Sequence, residues 1–221
     1  MPPGASLRVV GDVHGDVRGL TAALATERFV LQLGDLADHG PDGGGAIRMM
    51  LARLAAGSGL FLLGNHDFKL ARALAGRAVR PDPALSATLA GLDPELRAAA
   101  LAAIAAAPAW LVAGHRFFVH GAFHIRMLTE PPPQRPLEGR VSPLLARALY
   151  GQTTGRMQPD GYPERTLRWV AQIPPGLTVY CGHDCLSTDG RPAVRRNEAG
   201  GTAVFLDTGA GKGGHLSWID L

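Results

Sequence analysis

Six short apolar runs in this chain each end beside a glycine and an Asp, Asn or His, and that repeated ending constrains the fold more than any other feature. Leu7-Arg8-Val9-Val10 leads into Gly11-Asp12-Val13-His14-Gly15. Phe29 to Leu33 leads into Gly34-Asp35-Leu36-Ala37-Asp38, and Gly59 to Leu63 into Gly64-Asn65-His66-Asp67. Later runs close on His120-Gly121, on Gly182-His183 and on Asp207-Thr208-Gly209. The runs have the length and β-branched content of strands. Between the first three lie segments with helical spacing: Asp16 to Glu27, with Val17, Leu20, Ala23 and Leu24 on one face, and Ala46 to Ala56. Strands alternating with helices predict a mixed α/β fold with a largely parallel sheet. Such sheets bind ligands outside the carboxyl ends of their strands, so the polar endings are expected to converge.

The rest of the chain is consistent with that plan. Asp67 to Ala107 is rich in Ala and Leu and reads as mostly helical, with a break at Arg80-Pro81-Asp82-Pro83 and a restart at Asp93-Pro94-Glu95, where Asp is a cap and Pro a first-turn residue. Residues 74–108 are therefore expected to form a helical cap or insertion. Ala109 to Ala113 and Phe117 to His120 read as strands joined by a turn at Gly114-His115, and Pro131-Pro132-Pro133 as a loop. Pro143 to Tyr150 and Glu164 to Gln172 read as helices; Leu177 to Tyr180, Ala203 to Leu206 and Leu216 to Ile219 read as strands. At 221 residues without repeats or a linker, the expectation is one domain spanning 1–221.

Composition excludes several classes. Hydrophobic residues make up 46% of the chain, too many for a disordered protein, and no apolar run is long enough to cross a membrane. The start, Met1-Pro2-Pro3-Gly4, lacks the basic and apolar regions of a secretion signal. The two cysteines, Cys181 and Cys185, build no disulfide framework, and Cys181 ends an apolar run and is expected to be buried. These features point to a cytoplasmic protein with no membrane association and no obligate partner. The net charge of +3 favours anionic ligands without being a nucleic-acid signature. Almost all of the positive charge is arginine; Lys69 and Lys212 are the lysines.

Carboxylate, imidazole and amide oxygen, with no thiolate among them, suit hard or borderline divalent metals. One Gly-Asp-x-His-Gly could be an ordinary turn. The argument rests on six such endings, each after an apolar strand. Gly211-Lys212-Gly213-Gly214 lacks the leading glycine spacing of a phosphate-binding loop and reads as a β-turn.

The ordered series Gly-Asp-x-His-Gly, Gly-Asp-x-x-Asp-x-Gly, Gly-Asn-His-Asp, His-Gly and Gly-His resembles the calcineurin-like metallophosphoesterase superfamily, and within it the phosphoprotein-phosphatase branch. That branch includes bacterial serine/threonine phosphatases, diadenosine-tetraphosphate hydrolases and the phosphatase module of bacterial RNA-repair polynucleotide kinase-phosphatases. The resemblance implies a β-sandwich of two mixed sheets flanked by helices. It implies two divalent metal ions, manganese by family expectation, with iron, zinc or cobalt compatible with the ligands. Asp12 and His14 would hold the first, Asp35 would bridge both, and Asn65, His120 and His183 would hold the second. His66 would protonate the leaving oxygen and Asp38 would orient its imidazole. Asp207 would support a metal-bound histidine.

Two positions depart from the pattern. The branch has Asp-Arg-Gly where this chain has Asp38-His39-Gly40, so the phosphate-clamping arginine is missing. His39 itself, together with Asn65, would contact the substrate, and Arg165 is the candidate replacement cation, ahead of Arg18 and Arg156. Asp184 stands where threonine is common, and an added carboxylate near the metals is expected to disfavour a very anionic substrate. The first reading is thus a phosphomonoesterase of serine/threonine-phosphatase type. The alternatives are a diadenosine-polyphosphate or nucleic-acid-end hydrolase, and a metal-binding protein without catalysis. The substrate would be a phosphoprotein, a nucleotide or a nucleic-acid end.

Overall fold

The computed structural model describes residues 6–80 and 82–221. The expectation about the N-terminal tetrapeptide, and Pro81 within the expected helix break, lie outside the described residues.

Two sheets carry the fold. The first is built from β1 (Leu7–Val10), β2 (Phe29–Gln32), β3 (Gly59–Phe61) and the last strand of the chain, Trp218–Asp220. Its three early strands are parallel, and the last pairs antiparallel with β1 at the edge. The second sheet holds β4 (Trp110–Ala113), β5 (Arg116–Val119), β8 (Thr178–Cys181), β9 (Ala193–Arg196) and β10 (Thr202–Phe205). Its centre, β5-β8-β10, is parallel, and β4 and β9 close its two edges antiparallel. The early strands β1 and β2 alternate with period two. Val9 and Leu31 pack with Leu62, Phe118, Tyr180 and Leu206 in one buried cluster. Val10 and Val30 belong to the larger cluster that includes helix residues Leu20, Ile47 and Met50. This is the expected pair of mixed sheets with helices against them.

The helices are α1 (Val17–Leu24), α2 (Gly43–Ala55), α3 (Asn65–Leu74), α4 (Pro83–Ala90), α5 (Pro94–Ala106) and α6 (Pro143–Tyr150). The cap of α5 is the one read from sequence. Asp93 accepts from Leu96 N and precedes Pro94, as expected, and Asp82 caps α4 in the same way before Pro83. Each such cap stabilises a helix by about 1 kcal/mol. Helix α2 starts three residues before its expected start, because Asp42 caps a Gly43-Gly44-Gly45 turn that propensity alone would reject.

One expected helix is corrected. Glu164 to Gln172 is not a continuous helix: Pro163–Thr166 is strand β7, paired antiparallel with β6 (Gln152–Met157), and only Arg168–Gln172 forms a 3-10 turn. Both strands are largely exposed, so neither shows the apolar alternation that marks a half-buried strand. The edge strand β9 escaped notice for the same reason, and the final strand, β11 (Trp218–Asp220), begins two residues after its expected start.

Candidate metal centre

The carboxyl ends of β1, β2, β3, β5, β8 and β10 lie together, and their polar endings meet there. Close approach of the two sheets requires glycine at two points. A methyl on Gly11 would lie 2.0 Å from the Leu206 carbonyl oxygen, and one on Gly182 would lie 1.9 Å from Asp12 Oδ1. Backbone strain concentrates in the same place. The non-glycine residues with positive φ among the described residues are His14, Asp35, Asp38, His39 and His183. Each such conformation costs on the order of 1–3 kcal/mol, and strain of this kind collects at functional sites.

Asp12, His14 and Asp35 are almost completely buried, and one ligand atom from each lies within 4.8 Å of the others. Asp35, His120 and His183 form a second such group, so Asp35 is common to both. His14 Nδ1 donates to the Ala37 carbonyl (3.1 Å) and His120 Nδ1 to that of Leu33 (3.0 Å). Burial holds both imidazoles below their ordinary pKa, His14 at about 3, so both are neutral and their Nε2 lone pairs are free. His14 Nε2 is buried without a hydrogen-bond partner among the described residues and points between Asp12 Oδ2 (3.9 Å) and Asp35 Oδ2 (3.7 Å). His120 Nε2 faces Asn65 Oδ1 at 2.9 Å and Asp35 Oδ2 at 3.5 Å. Buried acceptors aimed at one another call for a cation between them. The donor set therefore fits two divalent ions, and backbone carbonyls fix the imidazole tautomers as metal ligands require.

Electrostatics agree. Burial and the charges of Asp207 and Asp35 push the Asp12 carboxyl well above the carboxylate range. Burial acts the same way on Asp35, but the neighbouring histidines outweigh it and hold its pKa below the ordinary carboxylate range. Of these only His66 has a raised pKa of its own and can carry the charge that does so. Asp35 is also held by the backbone: its Oδ1 accepts from His66 N (2.8 Å) in the first turn of α3.

Next to these candidate ligands, His66 Nδ1 lies 2.7 Å from Asp38 Oδ2. Burial opposes the Asp38 charge, but hydrogen bonds from His66 and Lys69 bring its pKa down to about 2, so the imidazole is the donor. Burial would lower the His66 pKa, yet Asp35 and Asp38 raise it. The His66 and His14 rings stand 5.1 Å apart, and His39 is 4.8 Å from the first and 5.0 Å from the second. His39 is thus at the mouth, exposed, with burial and His66 keeping its pKa low, which leaves it a neutral hydrogen-bonding group.

Arg165 reaches this site from strand β7. Its Nη1 is 2.9 Å from His183 Nε2 and its Nε is 3.0 Å from Asp184 Oδ1. Arg18 and Arg156 are exposed. Asp184 therefore faces a guanidinium, which offsets its charge in the site. Asp207 does not make the expected bond to a metal-binding histidine. Its Oδ1 accepts from Gly209 N (2.9 Å), while the imidazole N–H groups of His14 and His120 go to main-chain carbonyls. The two cysteines are apart in environment, Cys181 buried and Cys185 exposed.

Four contributors had no role assigned from sequence. Gln32 ties the first two loops together through Gly11 O and the Gly34 amide and carbonyl. Asp67 accepts from the amides of Asp35 (2.7 Å), Leu36 (3.1 Å) and Gly64 (3.1 Å). Lys69 and Thr88 both contact Asp38. The available signal was position: Asp67 and Lys69 sit one and three residues beyond His66 on a helix that starts at the site.

The chain is similar to known proteins along most of its length. The sequence profile of the calcineurin-like phosphoesterase family matches residues 6–186. An asymmetrical bis(5'-nucleosyl)-tetraphosphatase, PrpE, from Geobacillus thermodenitrificans (strain NG80-2) is 26% identical over 95% of this chain and 87% of its own length. A solved structure whose assignment as a diadenosine tetraphosphatase is itself provisional superposes with a TM-score of 0.67 at 21% identity, over 100% of this chain and 91% of the other. A serine/threonine protein phosphatase from Saccharomyces cerevisiae gives a TM-score of 0.56 at 13% identity, over 93% of this chain and 68% of that one.

Proposed function

This chain belongs to the calcineurin-like phosphoesterase family, and from that premise we propose that it is a dinuclear-metal hydrolase whose substrate is a nucleoside polyphosphate cleaved asymmetrically. The observation that carries the reaction class is Asp35, shared between two ligand groups, the first of which includes His14 Nε2, buried and unpartnered among the described residues. Two bound divalent ions, manganese in our reading, would supply Lewis acidity and activate a water. Asp12 and His14 would hold one, Asn65, His120 and His183 the other, and Asp35 both. The remaining chemistry belongs to side chains. His66 presents Nε2 to the mouth because Nδ1 is committed to Asp38, so it can deliver a proton to the leaving oxygen. Arg165, steered by Asp184, offers its guanidinium beside His183, the task that His39 cannot perform because imidazole has no fork of donors. Asp207 would act on Asp12 only through charge.

The nucleotide reading is supported by the similarity to tetraphosphatases over 95% of this chain. A serine/threonine phosphomonoesterase is the second reading, favoured by the exposure of His39 and Arg165, which leaves room for a phosphorylated loop. Metal-loaded protein should be given diadenosine tetraphosphate, a phosphoseryl peptide and p-nitrophenyl phosphate in parallel. We expect a nucleoside mono- and triphosphate from the first, with kcat/KM at least about 100-fold above that for the peptide. Phosphate release from the peptide without cleavage of the dinucleotide would move the assignment to the second reading.

A further inference from the structure

Asp38 is gripped from more directions than an imidazole anchor needs. Its Oδ2 receives His66 Nδ1 at 2.7 Å and Lys69 Nζ at 2.8 Å, and its Oδ1 receives the Thr88 hydroxyl at 2.8 Å. The same Thr88 oxygen accepts from the Asp38 backbone N–H at 3.2 Å. One hydroxyl thus brackets both the main chain and the side chain of Asp38, fixing its rotamer at a residue whose φ is +70°. Lys69 is itself held at its far side by Asp82 Oδ2 (2.5 Å), and the other oxygen of Asp82 caps α4 at Ala84 N. Thr88 is buried on α4, where a valine would fill the same space with no polar atom to satisfy.

We infer that Lys69 and Thr88 are positioning residues for the His66–Asp38 pair, so that helix α4, which sequence marks only as an insertion, completes the acid side of the site. A carboxylate has about four lone-pair directions. Three donors from two helices leave Asp38 no freedom to rotate, and His66 inherits that fixed direction. The lysine and His66 Nδ1 approach to 3.3 Å. Both are donors, so this is a shared claim on one oxygen, not a bond between them. The inference rests on the proposed acid role of His66.

The test uses Thr88→Val, Thr88→Ser and Lys69→Met in the full chain, with His66→Asn as reference. Rates are measured on p-nitrophenyl and phenyl esters of thymidine 5'-monophosphate, the second having the poorer leaving group. Metal-free protein is examined for the His66 Nδ1–H proton by NMR. Thr88→Val and Lys69→Met should lose about 10-fold in kcat on the phenyl ester, part of the roughly 10²–10⁴ that a general acid supplies. They should lose far less on the p-nitrophenyl ester, keep KM, and broaden the Nδ1–H resonance by exchange. Thr88→Ser should behave as wild type. Equal losses on both esters, or an unchanged Nδ1–H signal in Thr88→Val, overturn the inference. If His66→Asn itself shows no leaving-group dependence, the acid reading fails first. If neither ester is turned over, the NMR arm alone decides.

Discussion

The two sides of the site are built differently. The metal side, with Asp12, His14, Asp35 and Asp67, is buried at 2% exposure or less, and its geometry is set by backbone amides, strained turns and the meeting of two sheets. The substrate side, with His39 and Arg165, is open. The Arg165 side chain is 45% exposed and rides on a two-stranded hairpin outside both main sheets. Over-determined, dry geometry suits groups whose positions must not change during a reaction. An exposed arginine on a hairpin suits a group that receives ligands of varied shape. In the proposed function, chemistry would thus lie in the part of the fold that cannot adjust, and selection of substrate in the part that can.

Substitutions should separate the two sides, from large effects to small. Asp38→Asn leaves the metal ligands in place but loses the charged partner of His66, and kcat should fall by roughly 10²-fold or more with metal stoichiometry unchanged. Gly182→Ala puts a methyl 1.9 Å from Asp12 Oδ1, and manganese affinity by calorimetry should drop about 100-fold, whereas Met157→Ala on the hairpin should leave it untouched. A Gly182→Ala protein that binds manganese normally would show the buried side to be more pliant than described. Arg165→Ala should raise KM about 10-fold, the lower end for a charge-assisted hydrogen bond because of its exposure. Asp184→Asn should raise it only a few-fold, since that carboxylate acts through Arg165.

The smallest expected effect is a pH dependence. Burial and the Asp35 charge push the Asp67 carboxyl up to about 7, against its three amide donors. The folded state then binds a proton more tightly than the unfolded one between about pH 4 and 7. In that window the unfolded chain holds fewer protons, so the stability of metal-free protein should fall as pH rises. Asp67→Asn should flatten the slope in urea denaturation across that range. An unchanged slope would place the effect elsewhere.

The same division explains what could be read from sequence. The candidate ligands Asp12, His14, Asp35, Asn65, His120 and His183 were legible as a converging set because each follows a buried strand, and burial writes an apolar pattern; their division between two metals came from the family resemblance. The apolar pattern alone predicts strands and a largely parallel sheet; the pairing of two sheets follows from the family resemblance. The β6-β7 hairpin was mistaken in part for a helix because its exposed residues carry no such pattern, and only pairing with a partner strand defines it. Thr88 was invisible because its role depends on α4 folding back onto a loop fifty residues away. Asp184 was legible as an unusual residue at its position, but its ion pair with Arg165 could not be placed without the fold.

The central claim is that Asp35 joins two metal sites, and it is tested most directly by counting metal. Protein stripped of metal and reloaded with manganese, as wild type and as Asp35→Asn, should be assayed for bound ions per chain and for cleavage of diadenosine tetraphosphate. The account expects two ions and restored hydrolysis in the wild type, with loss of both in the variant. One ion or none in the wild type, or an Asp35→Asn protein that keeps two ions and full turnover, would contradict it.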